Sequence, residues 1–569
     1  MDPAKRTASG EGGRTESGQG GGTASGQVKK RRLERQPTLN AASAETRADQ
    51  LAQKIIHQDL FLDGSLLHKM AEEHRDEFSR QITWTSHHHS GGHRTWASVC
   101  SGSEGAHFVM SAIEASNPQF KFQQVFACDS KLGVREWIDS VVNGKRTASG
   151  QDKICIFKNI TDLAGATAEC HAHGRQCRVP DANIVIGCSS CKDLSNLQGK
   201  STSTPVLGKE ESPGGTALTW KGLLGYLDNH LVDIVLYENS DNLEDGGSDL
   251  GRNEVVGAAQ EVSNLEMFKA QFSSRGFEGQ NMVLDSWKFG TSARRRRFWS
   301  MQVRTHGTLG CIQFAGKRTV TDTFKTFRGL VALCQRRPCG AERLLLPDDN
   351  PHVERELLRR TASGKGVGPA GWVEKHRKAY SHIRLSWGLP TPHDRTTSSQ
   401  WYQTLTGCQK SSLIYQHHKL LASVPRLESP FRSNQCHTLM LDVDQSVDRA
   451  FKSTTLNDGK TAIAPCMMPG QKMWVHTRDG QERLLLGREA LVLQASPVAL
   501  VEEQLAKVSD AFHSELAGNA MSFLVLLAVA QSGFASLTWR EQSPDEDLGA
   551  ASSLDVDEAM GLLGMMSRY

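Results

Sequence analysis

The chain predicts an α/β fold with an open, doubly wound sheet, and three features carry that reading. From Trp96 onward strand and helix signals alternate, the order in which βαβ units are laid down. Residues 183–187, Asn-Ile-Val-Ile-Gly, run apolar without alternation, as a strand buried on both faces does. Successive strands stop at a glycine loop, an acid, an amide or a cysteine, at Gly102, Asp129, Asn159, Cys191 and Glu238. In an open α/β sheet that C-terminal edge is where ligands and reacting groups collect.

Composition sets bounds on this fold. With 569 residues and 38% hydrophobic content the chain can build a sizeable core, while 52 glycines imply much loop. A net charge of +3 leaves any nucleic-acid footprint local. Thirteen scattered cysteines and no signal peptide suit a reduced intracellular setting. The longest apolar run, 521–530, is too short to span a bilayer, so a soluble protein without membrane contact is expected.

Residues 1–50 are rich in Gly, Ser, Thr and charge, and are expected to be disordered. Their basic cluster, Lys29, Lys30, Arg31 and Arg32, reads as a nuclear-import signal or as a solvated charge run. Residues 51–95 form a helical lead-in and a loop with His87, His88, His89 and His93, where no carboxylate or cysteine completes a metal set. The peptide Arg-Thr-Ala-Ser-Gly at Arg6, Arg146 and Arg360 reads as inserted loop.

Strand 96–100 leads through Ser101, Gly102, Ser103, Glu104 and Gly105 into a helix at 106–115. A second strand, 123–128, ends at Asp129, and a third, 154–157, ends at Asn159. A glycine turn followed one strand later by an acid suits an adenosine ligand, with the acid on the ribose diol. Cys170, His171, His173 and Cys177 follow in what reads as a polar loop. They are too tightly spaced for a standard zinc finger; zinc and plain loop both stay open, and no metal site is assigned. Beyond strand 183–186, Cys188 and Cys191 read as a redox or zinc pair, as structural cysteines, or with Cys191 as a nucleophile whose thiolate a following helix N-terminus favours. Strand 233–237 ends at Glu238 and Asn239. Strand 281–284 leads through Gly290 to four arginines, 294–297, before Phe298 and Trp299. Strand alternation puts Arg295 and Arg297 on one face, the active-site face.

Taken in order, SGSEG from Ser101, FACD ending at Asp129, SSCKDLS from Ser189, YENS around Glu238, FGTSARRRRFW across Arg295 and Arg297, RLLLGREALVLQASP from Arg483 and ELAGNAMS from Glu515 resemble the motifs of the cytosine-C5 DNA methyltransferases, which use S-adenosylmethionine. The resemblance implies a Rossmann-like methyltransferase sheet with helices on both faces. It divides the chain into a catalytic domain at 96–300, completed at 476–535, and a smaller irregular target-recognition domain at 301–475. The acidic tail at 536–569 reads as a partner-binding helix or a frayed terminus.

A mechanism comes with the resemblance. Cytosine C5 is a poor nucleophile, so a thiolate must first add at C6; by resemblance this is Cys191. Glu238 would stabilise charge gathering at N3, Arg295 would orient the base, and Arg297 would support the loop or a phosphate. The cytosine would be flipped out of duplex DNA, with transfer RNA as the alternative polymer. S-adenosyl-L-methionine would lie on Ser101, Gly102 and Gly105, with Asp129 at its ribose, Asn159 near its adenine and Asn519 closing the pocket. Trp372, Trp387, Trp401 and Tyr402 suit base stacking or a small core. A DNA substrate implies the nucleus. The departures from the family pattern are Cys100 for an aromatic, Glu104 for a glycine, Ser189 and Ser190 for prolines, Asn159 for an aspartate and Ala293 for a glutamine. They predict crowding of the cofactor carboxylate by Glu104 and a looser nucleophile loop. They also admit a catalytically weak paralogue that binds nucleic acid or a partner.

Overall fold

Side chains alternate across a strand, so a central sheet with two covered faces needs two cores, and this chain builds both. In this computed structural model the described residues run from 58 to 539, without 77, 79–82, 85–93, 119, 195–205, 209–214, 245–262, 306–318, 364–369, 390–398, 424–437, 446, 448–454, 458–460, 478–479 and 481. The expectations for residues 1–50, for the histidine-rich loop and for the acidic tail beyond Trp539 lie outside them.

The central sheet has nine strands: β1 (Arg94–Val99), β2 (Phe122–Cys128), β3 (Cys155–Phe157), β4 (Thr167–Cys170), β5 (Arg175–Arg178), β6 (Ile184–Gly187), β7 (Ile234–Ser240), β8 (Phe277–Asp285) and β9 (Arg296–Arg304). Their spatial order is β5-β4-β3-β2-β1-β6-β7-β9-β8. Strands β3, β2, β1, β6 and β7 are parallel. Strand β9 runs antiparallel between β7 and β8, and the hairpin β4–β5 extends the other edge antiparallel. The strand order reverses at β1, between β2 and β6, which is the switch point where such sheets bind ligands.

Trp96, Ile184, Ile186, Ile234, Leu236, Trp299 and Met301 enter one core, and Ala97, Val99, Val185, Val235, Tyr237 and Phe298 enter the other, the period of two that a pleated strand imposes. Helices Leu66–Glu73, Gly105–Ser116, Val320–Leu333 and Phe523–Ser536 cover the first face. Helices Thr216–Asn229 and Asn264–Ser273 cover the second. All fourteen residues of Phe523–Ser536 are buried, which explains the apolar run at 521–530: it is apolar because protein surrounds it.

A smaller core gathers Val353, Trp401, Tyr402, Leu441, Trp474 and Leu484. It lies among helices Pro351–Ser363, Gln400–Thr404 and Gly407–Ser423 and a sheet of β10 (Leu439–Asp442), β11 (Met473–His476) and β12 (Glu482–Leu484). Its limits differ from the expected 301–475. Strand β9 runs on to Arg304, and helix Val320–Leu333 puts Phe324, Phe327, Leu330 and Val331 into the first core of the main sheet. Trp401 and Tyr402 are buried packing, not stacking platforms; Trp372 lies on His376 and Trp387 on Tyr415. Two copies of Arg-Thr-Ala-Ser-Gly fall largely in helices, Gly144–Ala148 and Pro351–Ser363, not in inserted loops. The stretch read as a polar loop around Cys170 is the hairpin β4–β5.

Candidate active site

Strand β6 passes β1 closely at Gly187, where a Cβ would meet the Val99 carbonyl oxygen at 2.4 Å. The chain then turns outward. Cys188 is partly buried, with its thiol 3.9 Å from the Cys100 carbonyl oxygen, so it packs against β1. Ser189 is buried, its Oγ 2.7 Å from the Tyr237 hydroxyl. The Asn239 side-chain amide donates to the Ser189 carbonyl (3.1 Å), the Ser189 Oγ (3.0 Å) and the Tyr237 hydroxyl (2.8 Å). Ser190 donates its backbone N–H to Thr219 Oγ1 at 2.8 Å, and the Asp193 carboxylate accepts from the Thr216 N–H at 2.7 Å. The expected looseness of a loop without prolines is therefore not found. Hydrogen bonds from β7 and the helix Thr216–Asn229 tie down its backbone instead.

Cys191 stands exposed at the outer end of this loop. Its thiol is held above the ordinary thiol value, first by desolvation and then by the Glu238 carboxylate, against the Arg297 and Arg295 guanidinium groups. The expected lowering by a helix N-terminus is not met. Residues 192–194 form a turn, and burial with Glu238 outweighs the cations.

Glu238 lies on β7, 5% exposed. Its Oε1 is 3.3 Å from Arg297 Nε and 3.9 Å from Arg295 Nε. The shared face expected for the two arginines is thus found, with Arg297 the nearer. Both Glu238 Oε1 and Arg295 Nε are buried with no hydrogen-bond partner among the described residues. Arg295 donates from Nη1 to the Gly518 carbonyl at 3.2 Å, and Asp285 accepts its backbone N–H at 3.1 Å. Burial and the neighbouring Arg297 lower its pKa from the usual guanidinium value. Arg297 donates to the Arg296 carbonyl at 2.7 Å and lies 3.8 Å from Cys466 Sγ.

The loop after β1 winds through three residues of positive φ, Cys100 (51°), Gly102 (55°) and Glu104 (58°). Ser101 donates its N–H to the Cys128 carbonyl at 3.2 Å, and its Oγ lies 2.8 Å from Ser98 Oγ. The Gly102 N–H donates to Asp129 Oδ2 at 3.1 Å, and a Cβ at Gly102 would meet the Asn519 carbonyl oxygen at 2.8 Å. Gly105 opens the next helix with the Phe523 ring 3.4 Å from where its Cβ would be. Ser101, Gly102, Gly105, Asp129 and Asn519 are therefore brought together. Asn159 stands exposed one strand further on, its amide 3.2 Å from Asp162 Oδ2. Burial holds the Asp129 carboxyl above its usual range, opposed by the N–H groups of Lys131 and Gly102.

Glu104 does not crowd this loop. Its carboxyl is fully buried, accepting from Ser98 Oγ at 2.9 Å and from the Gln124 amide at 2.7 Å, and desolvation pushes its pKa up to about 7. Ser103 Oγ is buried without a partner among the described residues. A positive-φ loop, an open hydroxyl and an acid at the next strand end fit an adenosyl amino acid. Sequence reading gave no role to Ser103, to the Gly518 carbonyl or to the Ser189–Tyr237–Asn239 network, although Ser103, Ser189, Tyr237 and Asn239 all stand within the motifs.

An exposed thiol, a buried carboxylate between two guanidinium groups and a positive-φ loop facing an acid at the next strand end all lie on the C-terminal edge of one sheet. No protein-family model matches the chain. Over 452 residues it is 25% identical to the DNA (cytosine-5-)-methyltransferase DMT5 of Cryptococcus neoformans var. grubii, a match covering 76% of this chain and 16% of that protein's length. Among solved structures it is similar to S. pombe Dnmt2 methyltransferase, at 12% identity over 77% of this chain and 97% of that one with a TM-score of 0.35. It is also similar to Entamoeba histolytica methyltransferase EhMeth, at 9% identity over 78% and 98% with a TM-score of 0.36. The family named by the motifs and the family of the sequence relative agree.

Proposed function

We propose that this chain transfers a methyl group from S-adenosyl-L-methionine to C5 of cytosine in DNA, with Cys191 as nucleophile. The observation that supports this most is the buried cluster beside the thiol, in which Glu238 Oε1 has ion-pair neighbours but no hydrogen bond and Arg295 Nε has no hydrogen-bond partner among the described residues. A cytosine edge offers an N4–H donor for Glu238 Oε1 and an O2 acceptor for Arg295 Nε, and a buried polar atom left unpaired costs free energy until such a ligand arrives. In this reading Cys191 Sγ, once deprotonated, bonds to C6. The ring's electron pair moves toward N3, to which the Glu238 carboxyl would donate a proton, and the resulting enamine makes C5 nucleophilic. S-adenosyl-L-methionine supplies a methyl group activated on a sulfonium. C5 would take that methyl and leave S-adenosyl-L-homocysteine; solvent water would accept the C5 proton, the N3 proton would return to Glu238, and the C6–Sγ electron pair would leave with the Cys191 thiolate, restoring the aromatic ring. Ser101, Gly102, Ser103 and Gly105 would hold the amino-acid end of the cofactor, Asp129 the ribose, Asn159 the adenine side, and Asn519 would close the pocket.

Reaching Cys191 requires the base to leave the duplex. DNA is preferred over RNA because the sequence relative is named for DNA, and a DNA substrate puts the protein in the nucleus. The test is transfer of labelled methyl to duplex DNA and, in parallel, to transfer RNA. Label is expected on DNA, absent with Cys191→Ala and reduced about 10²–10³-fold with Glu238→Gln. Label on transfer RNA alone would overturn the choice of polymer. A folded protein that binds nucleic acid and labels neither would overturn catalysis in favour of a scaffold.

A further inference from the structure

We propose that Cys155, Cys170, His173 and Cys177 bind one structural zinc ion at the edge of the central sheet. Their ligand atoms all lie within 4.8 Å of one another, and strand register explains how. Cys170 pairs with Phe157 across β3–β4, and Cys177 pairs with Ala168 across β4–β5. Cys155 is two residues from Phe157, and Ala168 two from Cys170, so all three cysteines share one face. The turn after β4 then folds His173 back over them.

The spacing is that of a metal shell. Zinc–sulfur bonds of about 2.3 Å and a zinc–nitrogen bond of about 2.0–2.1 Å at tetrahedral angles set sulfur and nitrogen roughly 3.6 Å apart. Here His173 Nδ1 lies 3.7 Å from Cys155 Sγ, 3.3 Å from Cys170 Sγ and 3.6 Å from Cys177 Sγ. The Ile156 N–H points at Cys170 Sγ at 3.4 Å, the outer contact that orients a thiolate ligand. His171, singled out with its neighbours from sequence, is not in the set; Cys155, from a different strand, replaces it.

Four protein ligands leave no open position, so the site is structural and not catalytic. A hairpin of two four-residue strands buries little on its own, and a cross-link to β3 supplies what its packing lacks. Strand β3 leads directly into Asn159, so the ion would brace the sheet edge beside that residue.

Metal analysis of the purified full chain tests this. One zinc per chain is expected, with three sulfurs at about 2.3 Å and one nitrogen at about 2.0–2.1 Å by X-ray absorption. Cys155→Ser and His173→Ala should each lose most of the metal, while the distant Cys408→Ser should keep it. Metal-free protein with these thiols oxidised to a disulfide, or zinc unchanged in both variants, would overturn the proposal. Should the variants fail to fold, wild-type protein exchanged with Co²⁺ gives the same decision: tetrahedral thiolate bands support the site, and their absence overturns it.

Discussion

Glu104 shows how far one residue's role can depart from its position in a motif. It sits in the loop after β1, in left-handed backbone, yet its carboxyl points into the protein. The folded carboxyl titrates at about 7 against 4.5 when unperturbed. Between those values the folded state keeps a proton that the unfolded state has lost, so stability falls as pH rises from about 4.5 through about 7 and levels off above. Glu104→Gln should remove that slope and unfold later than wild type at pH 8, by at most about 3–4 kcal/mol. Urea titrations from pH 5 to 8 would show it, and parallel curves for the two proteins would contradict it. The charges around Cys191 make an equally local prediction. Glu238 raises the thiol pKa and Arg297 lowers it, so at pH 7 iodoacetamide should label Cys191 faster in Glu238→Gln and more slowly in Arg297→Ala.

At the scale of elements, the loop after β1 is set by contacts from three separate segments. Gly102 needs positive φ, donates to Asp129, and lies against the carbonyl at the end of helix Asp510–Asn519. Gly102→Ala meets a left-handed penalty of about 1–2 kcal/mol and a collision with that carbonyl, so the loop must move. Calorimetric titration should show S-adenosyl-L-methionine binding weakened at least about tenfold, the equivalent of about 1.4 kcal/mol, while circular dichroism keeps the wild-type helix content. Binding at wild-type strength would mean the loop does not hold the cofactor. The nucleophile loop shows the same principle. Its motif lacks prolines, but Tyr237, Asn239, Thr216 and Thr219 supply the rigidity that prolines would have given.

At the scale of the molecule, a buried ion pair ties the smaller lobe's strand β12 to the helix Gly487–Leu493, whose Leu491, Val492 and Leu493 enter the first core. Arg483, on β12, donates to both Glu489 oxygens at 2.8 and 2.7 Å and to Asp348 at 2.8 Å. Glu489 also accepts the Leu346 and Leu486 N–H groups. Arg483 and Glu489 side chains are each 1% exposed, so Glu489→Ala leaves the buried cation with Asp348 as its one remaining carboxylate and strands the Leu346 and Leu486 N–H groups, and should cost about 3 kcal/mol. Thermal unfolding would report it, and double substitution with Arg483→Met should recover part of the loss.

Sequence alone determined the parallel strands of the central sheet and the residues at their ends. A buried strand must be apolar, and a turn at its C-terminal end must be small or polar, so the strand ends at Asp129, Asn159 and Glu238 were legible from local pattern, whereas the roles proposed for Cys191, Glu238 and the arginines came from the resemblance of the motifs. Tertiary structure decided what depends on neighbours distant in the chain. Burial turned Glu104 inward, strand register recruited Cys155 in place of His171, and packing on the first core moved the lobe boundary past residue 301. It also set the Cys191 thiol, because desolvation in the fold raises it first and the Glu238 charge second, and Glu238 lies 47 residues away on β7, where only the folded sheet brings it near.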